Sequence, residues 1–209
     1  EALGIIGPNG AGKSSLFNLI TGTIQADAGA VRLDEVDVTH LPARQRCRMG
    51  MGRSFQIPHP FETMTVYENL AVAACYGGGR REAEAKDVCV DVLARTGLLP
   101  KANQLAGTLS LLERKRLEMA RALATGPRLL LLDEIAGGLT EAECHELVGT
   151  IREVHEAGVT IIWIEHVVHA LTAVVERLVA LDFGKVIAEG RPDAVMGSDA
   201  VREIYLGVD

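Results

Sequence analysis

No run of apolar residues in this chain approaches the length needed to cross a bilayer, and no signal peptide opens it. Membrane association is therefore expected to come through a partner. A disulfide or zinc framework is missing too: Cys47, Cys75, Cys89 and Cys144 are scattered with no C-x-x-C spacing, so they read as reduced cytosolic thiols. There is no basic excess. The formal net charge is −7, which argues against a general nucleic-acid surface. The basic cluster from Arg114 to Arg116 stands among acids and reads as a solvated helix face. What remains is a chain of 209 residues, 48% hydrophobic, enough for one globular domain with a sizeable core. It opens at Glu1 without a Met, almost directly in a strand, and the native protein is expected to extend upstream.

The densest signal is Gly7 to Ser14, G-P-N-G-A-G-K-S, which fits G-x-x-x-x-G-K-[ST] at every fixed position. The apolar stretch Leu3 to Ile6 precedes it, and an amphipathic run with Leu16, Leu19 and Ile20 follows. That is the strand–loop–helix setting a polyphosphate cradle needs: glycines let backbone N–H groups turn inward, and the helix N-terminus adds a favourable dipole. Gly7, Pro8, Asn9, Gly10, Ala11, Gly12, Lys13, Ser14 and Ser15 form the expected nucleotide-binding set. Lys13 reaches the β- and γ-phosphates in this reading, and the Ser14 hydroxyl ligates Mg²⁺.

Further along, Gly29 to Val38 reads as one or two short strands and Arg44 to Met51 as a basic helix. Pro58 and Pro60 break regular structure after Ser54-Phe55-Gln56. Helices are expected next, with Gly77-Gly78-Gly79 as a flexible joint. Ala85, Val88, Cys89 and Val92 share one helical face, and Gly97 suits a C-cap. Arg128 to Leu132 is, after its first residue, a continuous apolar run, suited to a strand buried on both faces of a parallel sheet. Thr140 and Glu143 make a capping box for a helix with Cys144, Leu147, Val148 and Ile151 inward, ended by Gly158. Val159 to Ile164 is a second buried strand, and Leu178 to Leu181 and Val186 to Ala188 pair around Phe183-Gly184. Strands alternating with helices indicate an α/β fold, a P-loop NTPase core with a mostly parallel sheet. Residues 1–59 and 125–209 supply that core, and 60–124 an inserted helical subdomain.

Asp133-Glu134 ends a buried strand, where open α/β sheets bind ligands. Phosphoryl hydrolysis needs an acid to hold Mg²⁺ and a second group to orient or deprotonate water; Asp133 suits the first role and Glu134 the second. His166 and His169 have a spacing compatible with a metal, but no obvious third ligand accompanies them. His166, ending a core strand, suits a contact to the γ-phosphate, and His169 a surface helix. Asp182-Phe183-Gly184 copies a kinase triplet without the catalytic loop that accompanies it, and reads as a turn.

This ordered set resembles the ATP-binding subunit of ABC transporters along nearly the whole chain. Gly7 to Ser14 matches the Walker A loop, Gln56 the Q-loop, Leu129 to Asp133 the Walker B strand, Glu134 the catalytic glutamate and His166 the switch histidine. The resemblance adds Gln56 to the Mg²⁺ ligands and to a catalytic set of Glu134, His166, Gln56 and Lys13. R-S-F-Q-I-P-H-P-F-E-T-M-T-V-Y-E-N-L at 53 to 70, L-D-F-G-K-V-I-A-E-G at 181 to 190 and Y-L-G at 205 to 207 are similar to the branched-chain amino acid uptake group. ATPases for urea, amides or lipopolysaccharide share that phrasing. The family implies two copies sandwiching two ATP molecules, integral membrane permease subunits as partners, and a place at the cytoplasmic face of the membrane. It also implies an adenine-stacking aromatic upstream of Glu1.

Two departures stand out. Leu109-Ser110-Leu111-Leu112-Glu113 replaces the signature L-S-G-G-Q, leaving Ser110 to contact ATP in trans. Gly137-Gly138-Leu139-Thr140 lacks the D-loop aspartate. With leucines where glycines normally allow close backbone approach, Ser110 and Glu113 are expected to form a capping box. A binding-only cassette and a non-transport ABC ATPase are the alternative readings.

Overall fold

The computed structural model describes the backbone of residues 1–206 and the side chains of residues 1–203. The end of the Y-L-G phrase lies outside the described residues. A five-residue strand, β1 (Ala2–Ile6), feeds the glycine loop and then α1 (Lys13–Thr21). A hairpin, β2 (Arg32–Leu33) and β3 (Val36–Asp37), precedes α2 (Ala43–Arg48) and β4 (Met51–Arg53). Three helices follow: α3 (Val66–Val72), α4 (Glu82–Arg95) and α5 (Leu111–Ala124). The chain then returns to β5 (Leu129–Asp133), α6 (Glu141–Glu156), β6 (Thr160–Ile164) and α7 (Val168–Thr172). It closes with β7 (Arg177–Asp182), β8 (Lys185–Gly190), α8 (Pro192–Met196) and α9 (Asp199–Leu206).

Six strands form one sheet in the order β4-β5-β6-β1-β7-β8, parallel except for the β7–β8 pair. Parallel strands need both faces covered, and the side-chain alternation supplies two apolar faces. Leu130, Leu132, Ile161 and Trp163 join the larger core. Leu131, Ile164 and Ile5 face the other way, onto Phe17 of α1. The continuous apolar runs of β5 and β6 thus cover both faces at once. Among the described residues, no helix is long and apolar enough to cross a membrane.

Capping boxes start α3 at Thr65, α5 at Ser110 and α6 at Thr140, each closed by a glutamate three residues on. Each cap is worth about 1 kcal/mol. Cys144, Leu147, Val148 and Ile151 are buried along α6, as their spacing predicts, and so are Ala85, Cys89 and Val92 along α4.

Three expectations need correction. The basic helix stops at Arg48, and Met51–Arg53 is instead an edge strand paired with Leu129–Leu131. Gly50, at φ 103, breaks the helix there and lets the chain turn into the sheet. The triple glycine is not a slack joint. Ala73–Gly77 forms a π-helical turn, and a Cβ on Gly77 would lie 2.7 Å from Thr125 Cγ2, so the residue is small because two segments touch there. Nor is Arg114 to Arg116 a solvated face. Lys115 is buried, Arg114 donates to the Leu109 and Gly107 carbonyls, and Arg116 pairs with Glu146 at 2.7 Å.

Candidate nucleotide site

The glycine loop leaves β1 at the centre of the sheet. Gly7 must be glycine, because a Cβ there would sit 2.3 Å from the Leu181 carbonyl oxygen of the neighbouring β7. Gly12 is the N-cap of α1 and carries no side-chain cap, and no acid occupies the helix's first turn. The leading N–H groups of α1 therefore face outward with neither a cap nor a carboxylate competing for them, as an anion requires. The Gly184 N–H donates to the Ala11 carbonyl at 2.9 Å. Asp182 thus ends β7, Phe183-Gly184 is the β7–β8 turn, and that turn props the loop from behind.

Lys13 is buried, and its Nζ donates to the Gly7 and Pro8 carbonyls at 2.7 and 3.0 Å. Burial lowers its pKa from the usual lysine value, opposed by the charges of Glu134 and Asp133. A cavity of about 310 Å³ opens beside it, lined by Asn9 to Ser15, Gln56 and Glu134. Gln56 and Glu134 are thereby brought to the phosphate loop, although Gln56 comes from the loop after β4 and Glu134 from the end of β5.

Glu134 is the hub of the polar network. Gln56 Nε2 donates to its Oε2 at 2.5 Å, and His166 Nε2 lies 2.8 Å from its Oε1. Its own backbone is in the left-handed region, φ 47, with its N–H bonded to the Ile164 carbonyl of β6 at 2.9 Å. Such a conformation costs roughly 1–3 kcal/mol in a residue with a side chain and persists where neighbours fix it, commonly at functional positions. His169, by contrast, points away and lines a separate cleft with Arg191, Pro192 and Met196. The two histidines do not converge, and among the described residues no cluster of three His, Cys, Asp or Glu forms a metal site.

Asp133 is buried at the end of β5, with Oδ2 held by Arg53 Nη2 at 2.8 Å. Arg53 also donates to Asn18 Oδ1 at 2.7 Å and stacks 4.9 Å from the Phe55 ring centroid. Ser110 sits apart from this cavity, at the head of α5. Its N–H donates to Glu113 Oε2 at 2.9 Å and its hydroxyl accepts from the Glu113 N–H, the capping box that the sequence predicts. Lys101 pairs with the same carboxylate and holds its pKa below the usual glutamate value, with help from Ser110.

Three polar residues of this region escape a sequence reading: Arg53, Lys115 and Glu165. Glu165 is buried and accepts from the backbone N–H groups of Ala136 at 2.7 Å, His166 at 2.9 Å and Val167 at 3.3 Å. It ties the segment after Glu134 to the segment carrying His166. Burial raises its pKa above the usual glutamate value, against those three hydrogen bonds. The available signal for Glu165 was an acid closing the apolar run Ile161 to Ile164. For Lys115 it was the helical face shared with Met119 and Ala122.

Comparison with known proteins gives concordant findings. A family model described as "ABC transporter" matches residues 1–137, and one described as "Branched-chain amino acid ATP-binding cassette transporter" matches residues 185–209. The chain is 36% identical to the high-affinity branched-chain amino acid transport ATP-binding protein LivG of Salmonella typhimurium, covering 99% of this chain and 87% of that one. It is 34% identical to the lipopolysaccharide export system ATP-binding protein LptB of Acidithiobacillus ferridurans, covering 99% and 86%. Among solved structures, the ADP conformation of MJ1267, an ATP-binding cassette of an ABC transporter, superposes with a TM-score of 0.90 at 32% identity, covering 100% of this chain and 88% of that one. With the loop, the sheet order and these likenesses extending along the same residues, the chain belongs to the ABC transporter family, among its ATP-binding cassettes.

Proposed function

We propose that this chain is the ATP-binding and ATP-hydrolysing subunit of an ABC importer for branched-chain or related amino acids. The observation that carries the reading is Glu134, held between Gln56 and His166 at the mouth of the phosphate loop. In the proposed arrangement, residues 1–59 and 125–209 form the nucleotide-binding core and 60–124 a helical subdomain. A second ATP-binding subunit and membrane permease subunits are its partners, and it sits at the cytoplasmic face of the membrane through the permease. The family resemblance and the relatives' names support that part.

The phosphates of ATP bind along the N–H groups from Gly10 to Ser15, with Lys13 turning from the loop's own carbonyls to the β- and γ-oxygens. The donor set suits Mg²⁺: Ser14 and Gln56 line the cavity, the buried Asp133 precedes Glu134 at the end of β5, and their hydroxyl, amide and carboxylate oxygens are all hard. Gln56 already spends its Nε2 on Glu134, which leaves Oε1 for a cation. Bound there, Mg²⁺ supplies positive charge against the charge developing on the phosphates. Glu134 takes the proton of the attacking water. A bond forms from the water oxygen to the γ-phosphorus, the bond to the bridging oxygen breaks, and ADP and phosphate leave. Both carboxylate oxygens are engaged in the network, and each keeps a further lone pair with which to accept from the attacking water. His166 then faces the γ-phosphate.

Steady-state phosphate release tests the reading. Saturable hydrolysis that stops on Mg²⁺ chelation is expected, and ATP binding without release would leave a regulatory cassette. One feature favours that second reading: α5 begins with an ordinary capping box where the family has a glycine turn. Glu113 there places a carboxylate near the anion of the partner's ATP. A weak ATP-driven homodimer is therefore expected, strengthened by replacing Leu111, Leu112 and Glu113 with Gly, Gly and Gln. Sedimentation of the Glu134→Gln form, with and without that swap, measures it. Equal, tight dimers in both would mean that the leucines work as well as glycines.

A further inference from the structure

Lys115 is a buried cation that the chemistry above leaves unused. It lies on α5, in the second turn after Ser110, with 4% of its surface exposed. Its Nζ donates to the backbone oxygen of Glu134 at 3.3 Å and to that of Gln56 at 3.5 Å. The side chains of those same two residues meet at 2.5 Å. One ammonium thus joins α5, the loop after β4 and the end of β5, segments far apart in the sequence.

The loop that carries Gln56 depends on α5 for its position. Among the described hydrogen bonds, the Gln56 main chain has Lys115 as its sole partner. Arg121, further along α5, holds the His59 carbonyl of the same loop at 2.9 Å. Glu134 has its own anchor in the Ile164 carbonyl. Burial lowers the Lys115 pKa, and the charges of Glu165 and Glu134 oppose that fall. An ammonium is costly to bury, and an apolar side chain would fill the same volume without that cost. The cation is informative because its contacts are the two backbones whose side chains form the proposed catalytic pair.

We propose that Lys115 is a positioning residue for ATP hydrolysis: it holds the Gln56 and Glu134 backbones where their side chains meet, and it fixes that pair to the helix headed by Ser110. The inference rests on the ATPase reading of the site. A displacement of α5 moves the ammonium, and the Gln56 carbonyl follows, while Glu134 is also held by the Ile164 carbonyl and the Gly137 N–H. The orientation of Ser110 toward a partner's nucleotide and the alignment of the base are thereby one variable.

The test compares MgATP hydrolysis and ATP titration for the wild type, Lys115→Met and Lys115→Arg. Lys115→Met is expected to lower kcat about tenfold or more while KM and the ATP Kd stay within about threefold. Lys115→Arg, which retains a donor with sufficient reach, should recover at least about a third of wild-type kcat. In a Gln56→Ala background, Lys115→Met should cost less than it does in the wild type, because one of the two side chains it aligns is gone. Wild-type kcat in Lys115→Met, no rescue by Arg, or a full multiplicative loss in the double variant would overturn the inference while leaving the ATPase reading intact. A wild type that binds ATP without hydrolysing it would overturn both. If Lys115→Met does not fold, Lys115→Gln is held to the same limits.

Discussion

Glu134→Gln is expected to bind ATP within about threefold of wild type and to release phosphate on the order of 10²–10⁴ times more slowly, the usual loss when a general base is removed. The geometry makes this a specific expectation. Glutamine has the same shape, so it still fills the space between Gln56 and His166. Its amide offers one oxygen where the carboxylate offered two. That oxygen can accept from Gln56, while the amide nitrogen donates to the neutral imidazole of His166, so the network survives with one bond reversed. What is lost is a site for the water's proton. Binding groups along the phosphate loop are untouched, so bound ATP should accumulate on the enzyme, with dimers only as strong as the Leu111-Leu112-Glu113 turn allows. Single-turnover phosphate release, set beside a nucleotide titration, separates the two quantities. Wild-type turnover would assign the base to another residue.

Lys13→Ala is expected to weaken ATP binding roughly ten- to a hundredfold. A hydrogen bond to a charged group contributes about 1.5–3 kcal/mol, and about 1.4 kcal/mol is tenfold in affinity. Lys13 is the cation buried within the loop itself, and removing it leaves the backbone N–H groups to neutralise the phosphates alone. The Gly7 and Pro8 carbonyls also lose their donor. A melting experiment without nucleotide detects any collapse of the loop separately from the lost affinity. Unchanged ATP affinity in a folded variant would remove the phosphate-loop assignment.

Most of the frame was legible because this fold writes itself in local patterns. The glycine loop, the two-faced apolar strands and the Ser110 and Thr140 capping boxes all follow from short-range rules. β4 was illegible for a physical reason. At three residues, Met51–Arg53 is too short to display a period, and it pairs only because Leu129–Leu131 offers an edge. The glycines at 77 and 78 misled because slack and close contact use the same residue. Arg53, Lys115 and Glu165 escaped because a charge is normally a sign of exposure. Each is instead placed by partners distant in sequence: Asp133, the Gln56 and Glu134 carbonyls, and the Ala136 N–H. The loop motif could be read from one stretch of chain, whereas the hub around Glu134 exists only through tertiary contact.

The sheet order has a kinetic meaning. β1 carries the phosphate motif at the start of the chain, but its two neighbours are β6 and β7, near the end. Gln56 and Glu134 are 78 positions apart, and His166 lies 32 beyond Glu134. Parallel pairings of that span close late, since the entropy of forming large loops must be met before any of their contacts is gained. A growing chain therefore displays its glycine loop long before the strands that frame it have been synthesised. Nucleotide can recognise the loop fully only once β1 is clamped on both sides, so its binding energy is withheld from partly folded species. At a hundredfold excess over Kd that selective stabilisation is about 2.7 kcal/mol. ATP, the fuel of the finished cassette, is thus also a thermodynamic inspector of its assembly.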